Sequence, residues 1–298
     1  MRHAIATGWV VLAAVVAGMR AEAPDLTPLL PARSVVNAAV VEALQAGDVA
    51  RAARLTGELA DTEEQRLWRG ILAILGNDPV TAIRILRSGG VRQPHAKALG
   101  VAYYLARQYL LFRDQMADAI RMDPADFGPY YFLGRHSDTE LDQCEEALRW
   151  FGEALARNPA YARAQAHRGS CLERLGRGAE AEQAYRGSAG LPLSMLGLAR
   201  LKQAAGETKE ALGWVEKALA AEPGDAVGLR LAARLYESLG RSSEAIAALK
   251  RAVIAAPNEA ALHYQLHRLY RSGGNAARAK AELQEFERVR AIYGAQAQ

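Results

Sequence analysis

The stretch 239-LGRSSEAIAALKRAVIAAPNEA-260 carries a spacing that occurs elsewhere in the chain. Gly240 is followed by Ala245, Leu249, Ala252 and Pro257, and the same offsets lead from Gly206 to Ala211, Val215, Ala218 and Pro223, 34 residues earlier. A spacing that survives translation along the chain is a repeat. Within 226–259, Leu229, Ala232, Ala233 and Tyr236 fall at i, i+3, i+4 and i+7, which predicts one buried stripe on a first helix. Gly240 predicts its end, because glycine takes a positive φ without steric cost. Ala245, Leu249 and Ala252 give a second helix one buried face, and Pro257 closes the unit. Two short helices joined by a tight turn pack antiparallel, and the small residues Ala233, Ala245 and Ala252 let the backbones approach closely. Neither helix buries its stripe alone, so the next pair must stack on it.

This pattern resembles the tetratricopeptide repeat family, whose units have the same period. Residues 93–126 carry Leu99-Gly100, Tyr103, Ala119 and Pro124 at the expected places, and 127–161 carry Tyr130, Leu133-Gly134, Ala147, Phe151, Ala154 and Pro159. Unit 162–191 keeps Gly169, Gly176, Ala181 and Tyr185 but is shortened, and 192–225, 226–259 and 260–293 complete the run. The last unit departs at His267 and Phe286, where small residues are usual, and lacks the closing proline. Upstream, Gly47 with Ala52 and Gly76 with Ala82 mark two irregular hairpins within 24–92, and Asp78-Pro79 reads as a helix cap and first turn. The resemblance implies an all-α fold, an α-solenoid of about eight stacked antiparallel helix pairs in a right-handed superhelix. The repeat array would span 93–298.

Half of the 298 residues are apolar and only 7% are aromatic, which favours helices with small packed side chains. The net charge of +4 is too small to suggest a general nucleic-acid binder. Arg2 and His3, an uncharged run from Ala4 to Met19, and Ala21-Glu22-Ala23 lay out a secretory signal over 1–23. Export to a bacterial periplasm or beyond is expected. Contact with a membrane would come only through that segment if it stays uncut.

Phosphate-cradling glycine loops, Cys-x-x-Cys pairs and His-Glu-x-x-His motifs are missing, so an enzyme, a cofactor and a metal centre are not expected. His263 and His267 share a helix face, but a catalytic zinc site usually has three protein ligands. Cys144 near the start of one second helix and Cys171 near the end of the next first helix would lie at the same level of an antiparallel stack. In an oxidising compartment they could form a disulfide; the alternative is that both are small packed residues.

In the resembled family the first helices line a groove for an extended peptide or a partner's helix. Stepping away from the buried stripe, the exposed face would offer Tyr131, Arg135 and Asp138, then Leu196, Arg200 and Gln203, then Arg230, Arg234 and Glu237, then Tyr264, Arg268 and Arg271. Arg135, Arg200, Arg234 and Arg268 share one repeat position. Val101 takes it in 93–126 and Ser170 in 162–191, flanked there by Arg163, His167 and Arg174. An arginine ladder interleaved with tyrosines suits an acidic ligand, since guanidinium forks bind carboxylates and stack on rings. Equally, only six of the 37 basic residues are lysine, so arginine is this chain's default solvated residue. The expected function is a non-enzymatic scaffold of the cell envelope that binds a protein partner's segment in the groove. The alternatives are an acidic polysaccharide or other polyanion on the same arginines and, more remotely, an accessory role in an enzyme complex.

Overall fold

The computed structural model describes residues 27–30, 38–59, 62–88 and 93–293. The expected signal segment 1–23 lies outside them. All regular secondary structure among the described residues is helical, sixteen helices in eight consecutive pairs. The first four pairs are α1 (Ala38–Gln45) with α2 (Val49–Glu58), α3 (Glu63–Leu75) with α4 (Pro79–Arg87), α5 (Gln93–Leu105) with α6 (Tyr109–Met122), and α7 (Phe127–Thr139) with α8 (Cys144–Arg157). Then follow α9 (Ala162–Arg174) and α10 (Gly178–Arg186), α11 (Pro192–Ala204) with α12 (Thr208–Ala221), α13 (Ala226–Ser238) with α14 (Ser242–Ala255), and α15 (Ala260–Ser272) with α16 (Ala276–Tyr293).

One residue after the first helix of each pair adopts the left-handed region, and inside each unit this folds the pair back on itself. Glycine does so at Gly47, Gly176, Gly206, Gly240 and Gly274. In the turn after α3 the expected hairpin forms, with asparagine in place of glycine at this position. Gly76 has φ −75°, and its neighbour Asn77 takes the positive angle, 54°. Asparagine tolerates this region better than most side chains. Arg107 (φ 57°) and Asp142 (φ 54°) hold the same position in turns without glycine. Arg107 is exposed, so its backbone strain has a simple test. Arg107→Gly should stabilise the fold by about 0.5–1 kcal/mol in urea denaturation, because glycine removes a steric cost that exceeds its entropy penalty.

The helices form two compact units, one ending at Leu175 and one beginning at Gly176. The boundary falls inside the shortened stretch 162–191. In the first unit each second helix packs on the first helix of the following pair, and α3, α5, α7 and α9 also touch in succession. Its core includes Trp68, Ile71, Phe112, Met116, Tyr131 and Phe151, all fully buried. Gly134 allows α7 to approach α8: a Cβ there would sit 2.7 Å from the Phe151 ring. In the second unit Leu196, Val215, Leu229, Leu235, Leu249 and Leu266 form the equivalent core.

Candidate ligand-binding face

The expected groove residues meet different fates in the two units. In the first unit Tyr131 is fully buried, Arg135 is 5% exposed and Asp138 is 9% exposed, so this part of the exposed-face expectation is overturned. The cause is the neighbouring first helix. Tyr161, at the cap of α9, and His167 within it cover α7, and the Tyr131 ring meets Tyr161 edge-on at 5.0 Å. Arg135 Nη1 donates to His167 Nε2 (2.7 Å), and the Arg135 Nε has no hydrogen-bond partner. His167 stacks on Phe151 and is itself buried. Burial first, then the charges of Arg135 and Arg163, hold its imidazole well below the usual histidine range. It is therefore a neutral acceptor at physiological pH. Arg163 is half-buried, and Arg174 forms ion pairs with Asp138 and Asp142.

Asp138 also connects to the two cysteines. Cys171 donates to Asp138 Oδ1 (3.4 Å), and the two sulfurs and a carboxylate oxygen of Asp138 lie within 4.8 Å of one another. Both cysteines are buried free thiols. Burial pushes each thiol upward, and the Asp138 charge adds to this, so neither is a thiolate at neutral pH. Arg174 already neutralises the carboxylate of this trio.

In the second unit Leu196 is also buried, a further correction, because the start of α13 packs on it. Arg200 is half-buried with its guanidinium 3.5 Å from the Tyr185 hydroxyl. Arg230 pairs with Glu259. Arg234 and Arg271 are exposed and form no ion pair among the described residues. Tyr264 is 49% exposed. Its ring lies beside His267 and Phe286, the two departures from the repeat pattern. Arg268 reaches from α15 to α13 and donates to both carboxylate oxygens of Glu237 (2.7 and 2.8 Å). That bond bridges the exposed sides of α13 and α15. His263 pairs with Glu282 and His267 with the Ala279 carbonyl, so both imidazoles join α15 to α16.

Two features of the first unit escaped sequence reading. Lys97 is buried and bonded to Asp126 (2.5 Å) and to the Leu30 carbonyl (2.7 Å). The turn Thr27–Leu30 lies against α5 and α7, with Leu29 1% exposed. The available signal was a lone lysine in the apolar run 96-AKALGVAYYL-105.

Residues 203–270 match the family described as tetratricopeptide repeat. The fold is similar to that of a chain in the APC/C hetero-tetramer Cut9–Hcn1, with TM-score 0.64 and 16% identity over 84% of this chain, which spans 50% of that one. It is also similar to PilW, a type IV pilus biogenesis factor, with TM-score 0.58 and 18% identity over 67% of this chain and 96% of that one. A tetratricopeptide repeat protein from Parabacteroides merdae ATCC 43184 has TM-score 0.56 and 18% identity, over 77% of this chain and 94% of that one. No protein of curated function matches the chain by sequence. The chain is thus an all-helical α-solenoid, and its residues 203–270 match the tetratricopeptide repeat model.

Proposed function

We propose that this chain is a non-enzymatic scaffold of the cell envelope that holds an acidic segment of a protein partner on the first-helix face of its second unit. One observation carries the reading: Arg268 of α15 reaches Glu237 of α13, and Arg234, Tyr264, Arg268 and Arg271 on these two first helices are all exposed. Arg234 and Arg271 leave guanidinium forks available for carboxylates, and Tyr264 offers a ring for stacking. The envelope location rests on the N-terminal sequence pattern. Among the described residues no helix is long and apolar enough to cross a membrane.

The test is a titration of the full chain with a fluorescent oligoglutamate peptide, beside the variant Arg234→Glu/Arg271→Glu. Binding should weaken at least tenfold in the variant and with rising salt, since exposed charge pairs are screened. Equal binding by both proteins rules out this face. Displacement by soluble polyuronate in preference to acidic peptide would assign the surface to a polyanion instead. Export would also expose Cys144 and Cys171 to thiol–disulfide oxidoreductases, which would join them as a disulfide. Unreduced exported protein should then contain no free thiol; a count of two excludes the bridge.

A further inference from the structure

We propose that the first-helix face of the first unit is a separate peptide site. It recognises a Thr-Pro-Leu-Leu turn and is occupied in cis by the chain's own Thr27–Leu30. Lys97 stands four residues after the start of α5, just as Tyr264 stands four residues after the start of α15. It holds the same repeat position, and the turn is among the groups that cover it. Lys97 Nζ donates to the Leu30 carbonyl (2.7 Å) while held by Asp126 (2.5 Å). Leu29 and Pro28 are buried against the unit, and Leu30 packs beside its core.

Gly128, the second residue of α7, completes the seat. A Cβ at that position would fall far inside van der Waals contact with the Pro28 carbonyl oxygen and 3.1 Å from its carbon. A side-chain donor on a backbone carbonyl, a fully buried leucine and a glycine against the Pro28 carbonyl together make up a recognition site for a peptide turn. The turn enters as a turn, not as the extended strand or helix expected for the groove. Only residues 31–37 link it to α1. Being part of the same chain, the cis segment competes intramolecularly and excludes weaker ligands of the same chemistry.

The test uses a labelled peptide of residues 24–34, PDLTPLLPARS, with the full-length chain. Leu29→Asp should vacate the site and leave its walls intact. That variant should bind the peptide saturably and at least tenfold more tightly than the wild type, and adding Gly128→Ala should abolish binding. Failure of folded Leu29→Asp to bind more tightly than wild type overturns the proposal, as does equal binding by the double variant. Gly128→Ala alone gives an independent reading in which Leu29 stays native. Hydrogen exchange across residues 27–30 should quicken at least tenfold, with α13 and α15 unchanged; unaltered exchange at 27–30 overturns the proposal equally. Neither reading depends on the arginine face of the second unit, so the two proposals fail separately.

Discussion

Lys97→Ala will destabilise the first unit by about 3–5 kcal/mol, the cost of leaving one member of a buried ion pair without its partner. The side chains of Lys97 and Asp126 are 1% and 6% exposed, so water cannot take over the orphaned carboxylate. Lys97→Met/Asp126→Asn should recover most of the loss. Methionine fills the volume, and asparagine keeps an oxygen to accept from the Gly128 N–H, as Asp126 Oδ1 does now (2.9 Å). Urea denaturation of the wild type, Lys97→Met, Asp126→Asn and the double variant forms a thermodynamic cycle. Additive losses would show that the two groups do not act as a pair.

The second large effect is acid sensitivity. His167 is buried and its native pKa lies below the unfolded value, so below about pH 6.5 the unfolded chain binds a proton that the native one refuses. The stability it confers is complete above that pH and is lost as pH falls. The slope is about 1.4 kcal/mol per pH unit while the native imidazole stays neutral. His136 acts in the same direction: burial lowers it first, Arg113 adds, and Glu140 opposes. His167→Gln should keep an acceptor for Arg135 and remove the histidine's share of the slope between pH 6.5 and 5. Parallel pH–stability curves for variant and wild type would show that His167 is not held neutral.

The helical repeat was legible because its signals are local. The offsets after Gly206 and Gly240 mark turns in which those glycines do take positive φ. Turns without that signal were harder, because Asn77, Arg107 and Asp142 adopt the same backbone angle through tolerance or strain. The ladder was legible only in part. Stepping around one helix shows which side turns from its partner, but not what the next helix lays over it. That is how Tyr131 and Arg135 came to be covered by α9 and its cap, while Arg234 and Tyr264 stayed exposed. The Thr27–Leu30 turn and its bond to Lys97 join residues 67 apart, and no periodicity reports such a contact.

Site-directed photo-crosslinking in the source cells asks whether a partner docks on the first-helix face of the second unit. A benzophenone side chain at Tyr264, on that face, should give a discrete crosslinked partner that Arg234→Glu/Arg271→Glu abolishes. The same group at Ile254, 82% exposed on the second helix α14, should give none. A partner captured from Ile254 and not from Tyr264 would exclude docking on the first helices and move the interface to the second helices.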